Sequence, residues 1–273
     1  AVKGTMHPLD PLPIQYKDFT AWQLAELSGE KLTAHKTYWN TQFQGDIPTL
    51  ELASDRRRPE IMNHAGAQYY FKLDKELSLQ LKALVKEEGA TLFMGVLSLV
   101  KTVLYQYTGQ QDIVIGTPVA GRQHPDLEDQ IGLYLNTLAL RSRFSGDEGF
   151  AALLNEVKKV SLDGFNHQVY PLDMLIEDLG VYPPKNRSAL FDVVVILQNV
   201  QLNLLEGVEM EDLEVSAEGE DLEISKGDLR FQFMDQGESI DGTIEYSTEL
   251  YDEARISRMV THMENLLAII VET

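Results

Sequence analysis

Residues 92–107 read LFMGVLSLVKTVLYQY, a helical run that is apolar on most sides. Such a helix escapes water only between a sheet and other helices, so this segment demands a layered fold around it. The neighbouring sequence supplies the layers. Asp74 is placed to cap a preceding helix carrying Leu77, Leu81, Leu84 and Val85 on one face, with Gly89 at its end. Gln68–Leu73, the β-branched Ile113–Thr117 and the segment IGLYLNTLALR at Ile131–Arg141 read as strands. Asp147 opens a helix with Phe150, Leu153, Leu154, Val157, Val160 and Phe165 at three-to-four spacing. Val193–Leu197 is a continuous apolar run of strand length, the pattern of a central strand covered on both faces. Leu229–Asp235 and Ile240–Tyr246 flank Gln236-Gly237, a hairpin signal. From about Asp252 a last helix places Ile256, Met259, Val260, Met263, Leu266, Leu267 and Ile270 on one stripe. The expected fold class is α/β, an α+β sandwich with a mixed sheet covered by helices.

Ahead of this body, Pro8, Pro11 and Pro13 favour an extended lead-in over residues 1–15. From Tyr16 to about Gln44, Phe19, Trp22, Leu24, Leu27, Leu32, Tyr38, Trp39 and Phe43 recur at helical intervals, interrupted near Ser28-Gly29. Two helices are expected there, with Trp22 and Trp39 as packing anchors. DRRRP at Asp55–Pro59 breaks the pattern.

Composition narrows the class. The chain of 273 residues is 44% hydrophobic and 24% charged, which is ordinary for a soluble globular protein. No stretch approaches the ~18 to 20 apolar residues of a membrane span, and the opening AVKGTMHPLD lacks the blocks of a signal peptide. The expectation is a cytoplasmic protein with no membrane partner. The absence of cysteine excludes disulfides, thiol catalysis and thiolate metal sites. A net charge of -20 argues against nucleic acid, since neutralising phosphates needs a surplus of Lys and Arg.

Read singly, the motifs are weak. GTPVAGR at Gly116–Arg122 sets two glycines around a strand end, which is little support for phosphate binding. Asn136-Thr137 puts a polar pair into an apolar strand, where its groups need hydrogen-bond partners. His167 has no Ser, Cys or acidic partner at a persuasive spacing, and the six histidines show neither HxxxH nor HxH spacing, so neither a triad nor a metal site is expected. Gln198-Asn199 follow the apolar strand, and open sheets present ligand-contacting residues at strand ends. Arg141, closing its strand, is expected to make surface contacts. Glu206–Ser225 holds nine acidic residues and no Lys or Arg, the composition of a solvated connector or of a docking segment for a basic module.

Taken in order, the motifs form a set. YKDFTAWQ at Tyr16–Gln23, GTPVAGR, IGLYLNTLALR, HQVYPLD at His167–Asp173 and RSALFDVVVILQN at Arg187–Asn199 resemble the condensation domains of non-ribosomal peptide synthetases over nearly the whole chain. The family's His-His-x-x-x-Asp-Gly signature has no counterpart, because no two histidines are adjacent. The resemblance implies a lobe like chloramphenicol acetyltransferase, with residues 1–64 as lead-in and connecting helices and residues 65–273 as the C-terminal lobe. It implies amide formation between carrier-tethered donor and acceptor aminoacyl or peptidyl thioesters, in secondary-metabolite and antibiotic biosynthesis. No catalytic residue is expected in this chain. Arg122 is implied to bridge to the signature aspartate of the other lobe, and Asn136, Thr137 and Asn199 to support the active site. Gly132, Tyr134 and Gln198 are candidates for lining the channel. No cofactor is expected to bind directly, phosphopantetheine being carried by the partners. Those partners are the N-terminal lobe, donor and acceptor peptidyl carrier proteins and an adjacent adenylation domain. A non-catalytic recruitment domain, or a fragment of another CoA- or carrier-dependent acyltransferase, are the alternatives.

Overall fold

Local capping decides where the helices begin. In the computed structural model, which describes residues 11–198 and 223–272, Asp74 Oδ1 accepts from the Leu77 N–H at 2.8 Å and starts α3 (Lys75–Glu87). Thr91 caps α4 (Leu92–Thr108) in the same way, and Gly109 closes it at φ 68°. The first two helices are α1 (Tyr16–Glu26) and α2 (Gly29–Gln42), broken at Ser28 as the spacing predicts. The others are α5 (Phe150–Asn166), α6 (Leu172–Leu179) and α7 (Glu253–Glu272). Gly149 rather than Asp147 occupies the α5 cap, and the short α6 was not anticipated.

Six strands form one mixed sheet: β1 (Gly66–Leu73), β2 (Asp112–Val119), β3 (Asn136–Arg143), β4 (Val193–Gln198), β5 (Leu229–Asp235) and β6 (Ile240–Ser247). Their order is β1-β6-β5-β4-β2-β3, with β2, β4 and β5 parallel and the other pairings antiparallel. The helix-facing residues Ile115, Val195, Phe231, Phe233 and Ile244 are almost wholly buried. They pack with α4, whose Val96, Leu97, Val100 and Leu104 are at 0% exposure, so α4 holds the sandwiched position that its sequence requires. The stripe of α7 is buried too, through Ile256, Met259, Val260, Met263 and Leu267.

Two expectations are corrected. β4 is internal to the sheet, but Val194 and Ile196 are only half-buried while Val193 and Val195 are buried; among the described residues helices cover one face only. IGLYLNTLALR is a strand only from Asn136 onward, and Ile131, Leu133 and Leu135 are 97%, 72% and 67% exposed. The Tyr16 hydroxyl donates to the Leu133 carbonyl at 2.9 Å, and Gly132 lies so close that a Cβ there would stand 2.4 Å from the Tyr16 ring. That contact holds residues 131–135 against α1 and off the sheet.

Residues 43–62 form a strap across the amino ends of the parallel strands. Arg141 donates to the carbonyls of Gln44 and Asp46, and Arg187 to that of Leu50. Arg58 forks onto Asp228 and also reaches the Asn186 carbonyl. Arg141 therefore does not make surface contacts, as its place at a strand end had suggested: it is 4% exposed, sealed by Phe43 and the strap.

Candidate functional site

The centre of the open face is set by a gap in the sheet. β2 and β4 are paired only at Gly116 opposite Val194. A Cβ on Gly116 would come within 2.3 Å of the Phe191 ring, so a residue without a side chain is what lets this aromatic seat over the junction. Beside it lies a cleft of about 190 Å³ walled by Pro118, Thr137, Phe191, Val194 and Ile196, with Asp192, Lys226 and Arg230 around it. Thr137 stands opposite Pro118 in the β2–β3 register, and this places its polar side chain in the cleft. Along the same face Arg230 pairs with Glu245 at 3.2 Å, and Gln198 accepts from the Gln232 amide at 2.8 Å. Burial raises the Asp192 carboxyl to about 6, and the nearby Asp228 carboxylate adds to this; Arg187 and Arg58 oppose it. Asn199 lies outside the described residues, as do residues 206–222 of the acidic run.

Asn136 sits at the edge of this region with all its amide capacity in use. Its Nδ2 donates to the carbonyls of Gln168 and Tyr170 at 2.8 and 2.7 Å, and its Oδ1 accepts from the N–H groups of Thr137 and Leu172 at 2.8 and 3.2 Å. It ties the HQVYP loop to the start of β3. Replacing Asn136 by alanine is expected to leave two carbonyls and one N–H of that loop unpaired, for about 2 kcal/mol of stability. Faster amide exchange at Leu172 than at residues of α4 would check this, and unchanged exchange with an unchanged melting temperature would refute it.

His167, in the same loop, meets His35 of α2, Nδ1 to Nδ1 at 2.8 Å, and stacks on Tyr38 at 4.2 Å. Its carbonyl accepts from the Trp39 indole at 3.2 Å. Burial lowers both imidazoles' pKa values, and His35 adds to the effect on His167. One neutral ring donates and the other accepts, so the pair docks α2 onto the body.

The remaining candidates gather elsewhere. Arg122 donates to the carbonyls of Leu127 and Gln130, and its guanidinium lies 4.1 Å over the Tyr134 ring. Tyr134, 6% exposed, packs with Phe19 and Leu127 and donates its hydroxyl to Gln130 Oε1 at 2.5 Å. Arg122, Gly132 and Tyr134 thus share one contact between α1 and the 121–135 loop, apart from Thr137 and Gln198 on the sheet. Trp39 is buried as an anchor, whereas Trp22 is 43% exposed and lines a surface hollow with Leu133 and Leu135. Two charged groups are buried: Arg141, which its sequence position assigned to the surface, and Lys101, which sequence reasoning did not single out. Among the described residues no cluster of His, Cys, Asp or Glu is arranged to hold a metal ion, and no helix is long and apolar enough to cross a membrane.

Against known proteins, residues 2–273 match the family model described as the condensation domain. The chain is 40% identical over 261 residues to bacitracin synthase 3 of Bacillus licheniformis, which takes in 95% of this chain and 4% of that protein. It is 36% identical over 263 residues to tyrocidine synthase 3 of Brevibacillus parabrevis, covering 96% of this chain and 4% of that one. In fold it is similar to the X-domain from teicoplanin biosynthesis, with a TM-score of 0.84 at 22% identity over 98% of this chain and 62% of the other. The first condensation domain of the CDA synthetase gives 0.75 at 18% over 99% and 57%. The chain therefore spans a small fraction of the synthetases it matches and about three fifths of these solved domains. With the motifs, the half-covered sheet and the family match in agreement, the chain belongs to the condensation-domain family.

Proposed function

We propose that this chain is the C-terminal lobe of a peptide-synthetase condensation domain, residues 1–64 serving as lead-in and connecting helices and residues 65–273 as the lobe. The observation that carries this reading is the family match over residues 2–273. In the reaction, the amine of an acceptor aminoacyl thioester attacks the carbonyl carbon of the donor thioester. The C–N bond forms, the C–S bond breaks, and the amine's proton leaves with the departing thiol. Both substrates arrive on phosphopantetheine arms of carrier proteins, loaded by an adenylation domain, in the cytoplasm. Tethering replaces a bimolecular encounter by a high local concentration, which supplies much of the rate.

This lobe contributes surface and alignment. Thr137, Gln198 and the Arg230–Glu245 pair line the open face, where a thioester's amides would find donors and acceptors. Asn136 acts behind it by fixing the HQVYP loop. Arg122, whose guanidinium here holds the carbonyls of Leu127 and Gln130, is the residue we assign to bridge to an acidic group of the opposite lobe. No histidine lines the cleft among the described residues, so the group that handles the amine's proton is assigned to the other lobe.

The test is condensation of two carrier-bound aminoacyl thioesters by the purified chain and by the two-lobed domain that contains it. Product from the two-lobed domain alone is the expected result. Product from the chain by itself would show that a base resides here, and none from either would remove the condensation reading.

A further inference from the structure

We infer that the gap between β2 and β4 is a selectivity pocket that takes the apolar side chain of a tethered aminoacyl group; this rests on the condensation reading above. Three observations lead there. β2 and β4 are parallel neighbours whose chains depart in opposite directions, β2 outward to β3 and β4 to β5, on the other side. The carboxyl ends of such strands form a crevice at a topological switch point, where open sheets bind ligands. Here the two strands pair at Gly116 and Val194, and beyond that pair Thr117, Pro118, Ile196 and Leu197 wall the crevice.

The second observation is its lining. A space of about 410 Å³ is walled, among the described residues, by Leu92, Phe93, Phe165, Pro118, Ile196 and Leu197. Phe93 and Phe165 stand 6.0 Å apart at 48° and are only half-buried, which leaves aromatic surface facing the space. Thr91, Thr117 and Asp235 are the polar members of the lining, and Asp235, the charged one, is held by Lys82 and the Gly237 N–H. An acidic side chain would meet this carboxylate and lose its hydration among aromatic walls, a double penalty. Leucine or phenylalanine would gain by burial.

The third observation gives the path. Pro118 and Ile196 wall this space and also the cleft on the open face that holds Thr137. A substrate whose backbone lies along the open face can therefore send its side chain past Pro118 and Ile196 towards Phe93 and Phe165.

The experiment has two arms. In the first, this chain carries methyl-labelled Ile and Leu and is titrated with N-acetylcysteamine thioesters of phenylalanine, leucine, alanine and aspartate. The phenylalanine and leucine probes are expected to shift the Ile196 and Leu197 methyls, and the aspartate probe to leave them in place. Phe93→Trp, which fills the space, should abolish those shifts while the melting temperature holds. Equal shifts from all four probes would show that the tether rather than the side chain is bound; those shifts, or shifts that survive Phe93→Trp, overturn the inference. In the second arm, Phe165→Ala in the two-lobed domain should raise use of tryptophan relative to alanine about tenfold, the scale at which pocket volume discriminates. If the wild type makes peptide and Phe165→Ala keeps its preference, the pocket is refuted and the condensation reading stands. If the wild type makes none while the methyl contrast holds, the reverse follows.

Discussion

Arg141→Ala is expected to cost about 3 kcal/mol of folding stability and to lower the melting temperature by on the order of 10 °C. The Arg141 side chain is 3% exposed and forks onto Asp112, Nε to Oδ1 at 2.9 Å and Nη2 to Oδ2 at 2.7 Å. The same guanidinium holds the strap through the carbonyls of Gln44 and Asp46 at 3.3 and 2.5 Å. Removing it strips one carboxylate and two carbonyls of their donor at once, which is why the loss exceeds that of an ordinary ion pair. The low end of the range for breaking a buried pair applies, because Asp112 is 33% exposed and keeps Arg143 at 3.4 Å. Arg143→Ala is the control: half-exposed, it should change stability by less than about 1 kcal/mol. Arg122→Ala should fall between them, losing two carbonyl bonds and a cation–π contact at a partly exposed site. Denaturant unfolding of the three variants gives the ranking, and an Arg141→Ala within about 1 kcal/mol of wild type would mean that the strap holds without it.

Why the sequence misplaces Arg141 is a matter of what covers it. Leu138 and Leu140 face the helices, so residue 141 falls on the opposite face, which an arginine at a strand end would normally leave to water. The cover is the strap, and the strap is bound mainly by backbone carbonyls that carry no sequence signature. The helices were legible because their caps and stripes are local: Asp74, Thr91 and the α7 stripe each specify an end or a face.

The 131–141 segment was half legible. Leu133 and Leu135 have one parity and Leu138 and Leu140 the other, and a strand with a single buried face cannot change parity midway. The shift at Asn136 marks where β3 begins, and the side chain at the break spends its four bonds on holding the next loop. The two-faced burial expected of β4 failed for another reason: a continuous apolar run does not by itself say that both faces are covered, and among the described residues the second face of β4 is only half-buried. The β2–β4 gap was invisible, because strand order is a property of crossovers that local pattern does not encode.

Lys101 carries the second large effect, and it is one of pH. A lone charge inside the apolar α4, it is at 0% exposure, with Nζ donating to the carbonyls of Ile113 and Leu140 at 3.0 Å each. Burial pulls its pKa down from 10.5 to about 7, against the pull of Asp112 and Glu156 in the other direction. Between those two values the unfolded chain holds a proton that the folded chain has released. Stability therefore rises with pH through that window and is flat below it, where both states are protonated and the ammonium's desolvation is felt in full. The full shift corresponds to about 5 kcal/mol as an upper bound, and the two accepting carbonyls, which favour the ammonium, reduce it. About 3 kcal/mol between roughly pH 7 and pH 10 is the expected contribution. Lys101→Met removes the proton but also takes a donor from two carbonyls, so the level of its stability is ambiguous while its slope is not. Urea unfolding of both proteins at pH 7, 8, 9 and 10 should show the wild type gaining on the variant at each step. Parallel curves would mean that Lys101 stays charged in the core, held by the Ile113 and Leu140 carbonyls and by Asp112, and that this helix carries its ammonium into the fold without releasing the proton.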